Sequence, residues 1–312
     1  MDHGTVTPEI AKGLLALKKK IAAAKIPPSK LDETINIATW NIREFGKEPR
    51  SNAAIHYVAE ILCQFDLVSI VELRDNLDDL KRVLELLGPY WRIVYSDMIP
   101  DRAGNRERIA YLYDKRAVVF TGLAAEANPP REKKGEEYHS QLTWWRSPYL
   151  ASFRAGNFDF IVVAAHIQWG TAQGRKAELK MFADWMHAKG EDIHCEDKDM
   201  IVMGDFNIEN DTMLEILTSR GLKIPDALAR TDFGTNLEQN KRYDQILHMP
   251  IYNTAFSKVG GVLDFVAGDR DSFYEIDHSK FTYELSDHLP LWIQVKTDIS
   301  SNLLHQIIDG QR

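Results

Sequence analysis

The sequence predicts an α/β protein in which two packed β-sheets are covered by helices. From residue 34 onward, short apolar runs rich in β-branched and aromatic residues alternate with segments of helical periodicity. Some of these runs follow one another as in hairpins and others are separated by a helix, which favours two sheets over a single doubly wound sheet. The predicted strands are 34–40, 67–73, 91–95, 109–113, 158–165, 200–203 and 291–295. The helical periodicity recurs at 55–65, 77–87 and 179–186.

The first 33 residues predict a basic helical extension, residues 1–33. Thr7-Pro8-Glu9 is typical of a helix start with Thr7 as N-cap, and the helix is predicted to run to about Lys25. Residues 11–30 contain six lysines and no acidic residue. Two interpretations stay open: the helix packs on the domain through an apolar face, or its basic face contacts nucleic acid or lipid. The apolar face consists of Ile10, Leu14, Leu17 and Ile21.

The rest of the chain predicts one large domain, residues 34–296, followed by a C-terminal tail, residues 297–312. Residues 122–140 contain Pro129-Pro130 and the charged run Arg131-Glu132-Lys133-Lys134. We expect this segment to be a polar loop between strands and not a linker between domains.

Composition limits the classes of protein to which the chain can belong. The formal net charge of −8 over 312 residues counts against a nucleic-acid packaging protein, because such proteins need surplus Lys and Arg to bind phosphates. Cys63 and Cys195 are the only cysteines, too few for a disulfide framework. The sequence predicts no signal peptide and no membrane span. We therefore expect a cytoplasmic protein, and no protein partner can be inferred.

Polar side chains stand where several apolar strands end. Asp205 and Asn207 follow an apolar strand, and residues two apart face the same side of a strand. Glu72 lies at the end of another strand, and His166 ends a third. Carboxylate and amide oxygens suit Mg²⁺ or Mn²⁺, and histidines exchange protons near neutral pH. These residue types predict metal-assisted hydrolysis of a phosphoester, in which the cation offsets phosphate charge and a positioned water attacks.

Seven motifs, in order along the chain, resemble those of the endonuclease/exonuclease/phosphatase superfamily, and most closely its DNase I-like branch. The similarity covers roughly residues 34–296, and Gly-Asp-Phe-Asn is its most specific motif. It implies a four-layer α/β/β/α sandwich of two mixed β-sheets flanked by helices, with the site at one rim of the sheets. The motifs are Thr39-Trp40-Asn41-Ile42-Arg43-Glu44-Phe45-Gly46, Val71-Glu72-Leu73-Arg74-Asp75, Arg106-Glu107-Arg108, Arg146-Ser147-Pro148, Gly204-Asp205-Phe206-Asn207, Tyr243-Asp244-Gln245-Ile246 and Ser286-Asp287-His288.

The resemblance implies a metal site and a phosphate-binding site. Asn41, Glu72 and Asp287 would hold a divalent ion, Mg²⁺ or Mn²⁺, with Ca²⁺ as an accessory ion. Arg74 and Arg146 would bind phosphates that flank the scissile bond of a nucleic-acid substrate.

The resemblance also implies a catalytic set. In it, Asp205 and His288 activate water, and Asp244 fixes the tautomer of His288. His166, oriented by Glu107, donates a proton to the leaving oxygen or stabilises the pentacovalent phosphate. The assignment of acid and base between the two histidines stays open. The set is His166, His288, Asp205, Asn207, Asp244 and Glu107, with Asn207 contacting the scissile phosphate.

Two positions bear on how the substrate is held. Asn105 stands where DNase I-like enzymes carry a tyrosine that stacks on a minor-groove sugar, which puts the grip on duplex DNA in doubt. Trp169 lies three residues after His166. Its ring either stacks on a base or sugar, or packs at the rim of the site.

The sequence therefore predicts a metal-dependent endonuclease or nickase, with DNA favoured over RNA as substrate. The alternative is a phosphomonoesterase or a lipid phosphodiesterase of the same superfamily, of the inositol phosphate or sphingomyelin type. A binding module without catalytic activity is the least favoured interpretation.

Overall fold

Two β-sheets pack face to face, with helices on their outer faces, in the computed structural model of the chain. The structure describes residues 1–99, 105–141, 143–229, 234–249, 255–266 and 273–308. Among these, no helix combines the length and the apolar character needed to cross a bilayer. The helices are α1 (Pro8–Ala23), α2 (Asn52–Leu62), α3 (Asp78–Leu87), α4 (Ala172–Glu191), α5 (Asp211–Thr218), α6 (His278–Glu284) and α7 (Ser300–Ile308). The strands are β1 (Thr34–Phe45), β2 (Leu67–Leu73), β3 (Trp91–Tyr95), β4 (Arg108–Asp114), β5 (Val119–Glu126), β6 (Arg131–Lys134), β7 (Glu137–Ser140), β8 (Tyr149–Ala155), β9 (Phe158–His166), β10 (Met200–Asp205), β11 (Asp244–His248), β12 (Phe256–Val262) and β13 (Leu291–Lys296).

Both main sheets are mixed. The first has the strand order β12-β13-β1-β2-β4-β3, and the second β11-β10-β9-β8-β5. Each contains one parallel pair, β1 with β2 and β9 with β10, and the other neighbours are antiparallel. The carboxyl ends of two parallel strands meet at one edge of each sheet, so residues that follow them come close together.

Three apolar cores separate the layers. Helices α1, α2 and α3 cover the first sheet around Trp40. The two sheets enclose the second core, which includes Ile37, Phe153 and Phe160. Helices α4 and α5 cover the second sheet around Phe182. The predicted α/β/β/α arrangement of two mixed sheets flanked by helices is confirmed.

Helix α1 packs on the domain through its apolar face. Thr7 caps its N-terminus, where Oγ1 accepts a hydrogen bond from the Ile10 amide, and the helix ends at Ala23, two residues before the predicted end. The four apolar residues predicted to face the domain are buried, namely Ile10, Leu14, Leu17 and Ile21. The apolar face of this helix is therefore part of the first core, and the lysines lie outside that face.

Two predictions of local structure were wrong. Residues 122–140 are not a loop, because they contain the end of β5 and the hairpin of β6 and β7. Both strands of this hairpin are exposed, and β6 carries charges on both faces, so the hairpin lacks the pattern of one apolar and one polar face that marks a half-buried strand. Strand β1 continues to Phe45, five residues past the predicted end. The prediction ended too early because polar residues of the site interrupt the apolar pattern of the strand. In the predicted tail, residues 300–308 form α7.

We expect Gly13→Ala to destabilise the protein although alanine favours helices. Alanine adds about 1 kcal/mol of intrinsic helix stability over glycine. A Cβ at Gly13 would collide with the Tyr57 hydroxyl and lie 2.6 Å from the Phe273 carbonyl oxygen, and Tyr57 is itself buried. Crowding in a packed core costs about 1–3 kcal/mol, so the free energy of unfolding should fall by about 1 kcal/mol in urea denaturation.

The matched control is Ala22→Gly in the exposed part of the same helix. It should lose about 1 kcal/mol through helix propensity alone. An increase in stability for Gly13→Ala would contradict the close packing of α1 on α2.

We expect Asp199→Asn to stabilise the protein more at high pH than at low pH. Burial, reinforced by Asp197, raises the pKa of Asp199 to about 8. The unfolded carboxyl ionises near about pH 4, so folding takes up a proton between pH 4 and 8 and stability falls as pH rises through this range. Urea denaturation at pH 5.5 and 8.5 measures the gain, with Glu196→Gln at the exposed neighbouring carboxylate as control. Equal gains for Asp199→Asn at both pH values would refute this origin.

Candidate active site

The alternation of the strands carries polar side chains into the site. In β1, Ile35 and Ile37 face the core between the sheets, and Asn41 lies on the same face nearer the rim. The same alternation follows the inward-facing residues of four other strands. It places these side chains on inward faces at the rim: Glu107, His166, Asp205 and Asp244.

Asn41 joins the two sheets at this rim. Its Nδ2 donates to Glu72 Oε1 at 2.9 Å in its own sheet and to Asp205 Oδ2 at 3.0 Å in the other. The backbone amide of Glu44 donates to Glu72 Oε2 at 2.9 Å. Asn41 Oδ1 is buried and has no hydrogen-bond partner. Buried acceptors normally have a partner, so this free oxygen indicates that the site accommodates a ligand that contacts Asn41 Oδ1.

His166 forms the first of two histidine–carboxylate pairs. Its Nδ1 lies 2.9 Å from Glu107 Oε2, and its Nε2 lies 3.8 Å from Asp205 Oδ2. Burial and Arg146 disfavour the charged imidazole, but Glu107 and Asp205 outweigh them and raise the pKa of His166. Burial opposes ionisation of Glu107 as well, yet His166 and Arg146 hold its pKa well below the usual range. Glu107 is therefore the hydrogen-bond acceptor, and His166 Nδ1 donates to it.

His288 forms the second pair with Asp244. Its Nδ1 lies 2.7 Å from Asp244 Oδ2, and its Nε2 lies 3.8 Å from Asp205 Oδ2. The Asp244 backbone amide donates to Thr235 Oγ1 at 3.1 Å. Burial disfavours the charged imidazole, but Asp244 and Asp205 outweigh it and raise the pKa of His288 to about 10.

Asp205 is the point on which both pairs converge. The Nε2 atoms of His166 and His288 lie at the same distance, 3.8 Å, from the same oxygen, Asp205 Oδ2. Its Oδ1 accepts from the Asn207 backbone amide at 2.9 Å, while Asn207 Nδ2 donates to the Ile167 carbonyl at 2.7 Å. The site thus holds one carboxylate between two imidazoles, each fixed from behind by another carboxylate.

Backbone strain is concentrated at this rim. Glu44, Glu72 and Asn207 adopt left-handed conformations, with φ of 46°, 62° and 50°. Gly204 has φ of 136°, and a Cβ there would collide with the Ala165 carbonyl of the adjacent strand. Strained residues of this kind persist where the surrounding structure holds them, and they are typical of functional sites.

The two predicted phosphate-binding arginines are paired with carboxylates of the protein. Arg74 Nη1 lies 3.2 Å from Glu44 Oε1. Arg146 makes two contacts to Glu107, from Nε to Oε2 at 2.7 Å and from Nη2 to Oε1 at 3.0 Å. Asn105 also donates to Glu107 Oε1, at 2.8 Å. Both arginine side chains are about nine-tenths buried, so neither guanidinium projects freely into the site.

The remaining predicted residues, Asp287 and Trp169, lie at the outer part of the site. The Asp287 side chain is 45% exposed, and its Oδ2 lies 3.7 Å from Arg43 Nη1. Trp169 is 57% exposed, with its ring edge-to-face with Tyr243 at 5.7 Å. Sequence reasoning missed the supporting roles of Arg43, Glu44 and Tyr243, although all three lie within the quoted motifs. Thr235, which lies in none of them, gave no signal.

The donor set fits a divalent cation. Asn41 contacts the Glu72 carboxylate through Nδ2 and keeps an unpartnered Oδ1, so this pair offers oxygen atoms of the hard type that Mg²⁺ and Mn²⁺ take. A second acidic and histidine cluster consists of Asp205, Asp244 and His288, whose ligand atoms lie within 4.8 Å of one another. In that cluster Asp244 and His288 already bond to each other, so the oxygen set around Glu72 is the better fit.

Fold and site together define the class of the protein: it is an enzyme that acts on phosphoester bonds. Residues 38–288 match the model of the Endonuclease/Exonuclease/phosphatase family, which is most of the chain. The protein belongs to this family, whose members depend on divalent metal ions.

Three relatives illustrate the range of similarity. Deoxyribonuclease-1 from Bos taurus is 24% identical over 277 residues, which are 83% of this chain and 91% of that protein. A functionally unknown conserved protein from Enterococcus faecalis superposes with a TM-score of 0.57 at 17% identity, over 84% of this chain and 99% of that one. A mannosyl-6-phosphatase from Bacteroides thetaiotaomicron gives a TM-score of 0.53 at 16% identity, over 84% and 99%. The two structural similarities show a shared fold.

We expect Glu107→Gln to lower both the pKa of His166 and the stability of the protein. The substitution keeps the shape of the side chain but removes the charge that His166 and Arg146 share. Breaking a buried ion pair by removing one partner costs about 3–5 kcal/mol. Proton–nitrogen NMR titration of the metal-free protein measures the pKa, and urea denaturation measures stability.

The control is Glu215→Gln at an exposed glutamate on α5, which should change neither quantity. An unchanged pKa of His166 in Glu107→Gln would mean that this carboxylate does not tune the imidazole.

Proposed function

We propose that the protein is a divalent-metal-dependent phosphodiesterase, an endonuclease or nickase that hydrolyses DNA, with RNA as a less favoured substrate. The observation that carries this proposal is the convergence of two histidine–carboxylate pairs on Asp205. A phosphodiester has a poor leaving group, so its hydrolysis benefits from one group that activates water and a second that protonates the leaving oxygen. The similarity to bovine deoxyribonuclease-1 supports the same substrate class.

Asp205 and His288 activate the attacking water in this proposal. Asp244 holds the proton on Nδ1 of His288, so the Nε2 atom faces Asp205 and exchanges protons with the site. Asp205 is kept in place by hydrogen bonds from Asn41 and from the Asn207 backbone. The Asp205 carboxylate can accept the proton of a water that lies between it and His288 Nε2, and His288, whose raised pKa favours the protonated imidazole, holds that water in place.

His166 serves the leaving oxygen. Glu107 holds Nδ1 and favours the protonated imidazole, so Nε2 carries the proton that the leaving oxygen takes or that stabilises the pentacovalent phosphate. Asn207 lies beside Asp205 and is assigned to steady the scissile phosphate, and its amide is oriented by the Ile167 carbonyl.

Glu72, Asn41 and Asp287 are the residues that would hold the metal ion, Mg²⁺ or Mn²⁺. When bound, the cation offsets negative charge on the phosphate. Glu72 is oriented for this role from two sides, since Asn41 donates to Oε1 and the Glu44 amide to Oε2. Arg74 and Arg146 are assigned to flanking phosphates, and each would have to give up a carboxylate contact to bind one.

A phosphomonoesterase is the second candidate, and the pairing of the arginines favours it. With Arg74 bound to Glu44 and Arg146 bound to Glu107, the site offers little free positive charge to a long phosphate backbone. A small phosphomonoester needs fewer flanking contacts. A lipid phosphodiester, which also lacks a long phosphate backbone, is a further alternative substrate.

A cytoplasmic location is part of the proposal. Cys63 and Cys195 are both free thiols, which suits a reducing compartment.

The test of function offers purified protein supercoiled plasmid, single-stranded DNA, RNA, a sugar phosphomonoester and a phospholipid, each with Mg²⁺, with Mn²⁺ and with chelator. We expect relaxed circles and then linear DNA in the presence of metal only. Asp205→Ala serves as the control for contaminating nuclease. Release of inorganic phosphate from the monoester without plasmid cleavage would support the second candidate, and hydrolysis of the lipid alone would exclude a nuclease.

We expect His166→Ala and His288→Ala each to lower kcat for DNA cleavage by about 10²- to 10⁴-fold, because each removes a proton-transfer group. Initial rates of plasmid relaxation at saturating metal measure the loss. His187→Ala, at an exposed histidine on α4, is the matched control and should keep the wild-type rate. Near-wild-type turnover in either site variant would remove that histidine from the mechanism.

A further inference from the structure

A chain of aromatic rings leads from His288 out to solvent. The Tyr243 ring lies 5.7 Å from the His288 ring, and the Trp169 ring lies 5.7 Å further along from Tyr243. Trp169 is 57% exposed at the end of this chain. We call Trp169, Tyr243 and Arg175 the stacking ledge. A large apolar ring exposed within two ring spacings of a catalytic imidazole is placed to contact substrate.

Arg175 fixes the position of Trp169. Its guanidinium lies 5.1 Å from the centre of the Trp169 ring, a cation–π arrangement. The same side chain, which is only 4% exposed as a residue, donates to the carbonyl oxygens of Trp169 and Gly170 and pairs with Glu209. Both the ring and its backbone are therefore held before substrate arrives. A ring that is already ordered loses little conformational entropy when a ligand stacks on it.

The stacking ledge offers aromatic contact, whereas a duplex held by its backbone needs ionic contacts to phosphates. Arg74 and Arg146 are both committed to protein carboxylates, and their side chains are nearly buried. The whole chain carries a charge of −8, which opposes the approach of a phosphate backbone. The stacking ledge needs no surplus positive charge, because attraction between a base and an aromatic ring acts on the face of the base.

We propose that the stacking ledge is a subsite for an unpaired nucleobase, and that the enzyme prefers single-stranded or unpaired DNA to intact duplex. The proposal rests on the nuclease function proposed above and deepens it. Inside a duplex both faces of a base are covered by its neighbours, so Trp169 can stack only on a base that has left the helix. A base on Trp169 belongs to a nucleotide adjoining the phosphate at His288.

The test compares cleavage of a labelled single-stranded oligonucleotide with cleavage of the same sequence in a duplex, using wild-type protein, Trp169→Ala and Trp169→Phe. We expect wild-type kcat/KM to be higher on the single strand. Trp169→Ala should lower it by roughly 5- to 150-fold, the range that loss of one stacked base gives. Trp169→Phe should recover most of the loss, and the loss on the duplex should be smaller than the loss on the single strand. Trp145→Ala, at a tryptophan that is 62% exposed, is the matched control and should match wild type.

A second substrate series separates stacking from a structural effect of the substitution. Single strands that carry one abasic nucleotide near the cleavage site lack the base that would stack. We expect one abasic position to lower wild-type cleavage to the level of Trp169→Ala, with no further loss when the two changes are combined.

Each outcome decides between the proposals. Independent, multiplicative losses from the abasic nucleotide and from Trp169→Ala would overturn the subsite, and so would equal losses on single strand and duplex. In both cases the nuclease function would stand. Cleavage of duplex alone would also overturn the subsite. Hydrolysis of none of the nucleic acids would remove both proposals, and Asp205→Ala shows whether any cleavage seen belongs to this site.

Discussion

The hydrogen bonds made by the amide of Asn41 are the interaction on which the site depends. They bring Glu72 of one sheet and Asp205 of the other within reach of a single neutral group. Two carboxylates that share one amide repel each other, and the hydrogen bonds from Asn41 offset this repulsion. The residue before Asn41 also holds part of the site in place. Trp40 is fully buried and donates from Nε1 to the His288 carbonyl oxygen at 2.9 Å. One strand therefore positions groups from both sheets and from the segment that carries His288.

Placing several charges at one rim requires departures from regular strand geometry. The pairing of β1 with β2 shifts register between Asn41 and Phe45, and the pairing of β2 with β4 shifts between Ile70 and Leu73. Regular alternation would point Glu72 to the same side as Ile70, toward the helices, whereas its left-handed backbone directs it to Asn41. The strain is offset by the apolar cores on both sides of these strands. It lies in the segments that carry Glu72 and Asn207, to which we assign metal binding and phosphate contact.

The sequence was sufficient to predict the layered arrangement, seven of the strands and the family, because apolar periodicity and motifs can be read from the sequence, but it did not predict β5, β8, β11 and β12 of the two main sheets. It was also sufficient to name residues that the structure brings together at one rim, since they belong to short motifs within strands or next to their ends. It did not predict that Arg74 pairs with Glu44, or that Asn105 and Arg146 share Glu107. These pairings join residues that are not neighbours along a strand and depend on side-chain directions that no motif contains. The β6–β7 hairpin was missed for a related reason, because its stability lies in cross-strand pairs and not in an apolar face.

Because Arg74 and Arg146 pair with carboxylates of the site, neither is free to offset the net negative charge of the protein toward a phosphate backbone. An acidic protein that attacks a polyanion needs local attraction, and here two of its best-placed cations neutralise carboxylates of the site itself. Arg146 stabilises the ionised Glu107 that orients His166, so releasing it to a phosphate would weaken the histidine–carboxylate pair. The same residue cannot serve both purposes fully at once. Contacts that act on the face of a base leave the buried ion pairs intact, and salt screens them far less than it screens phosphate contacts. For the nuclease function that we propose, recognition through aromatic rings therefore suits this acidic protein with buried arginines better than recognition through the phosphate backbone.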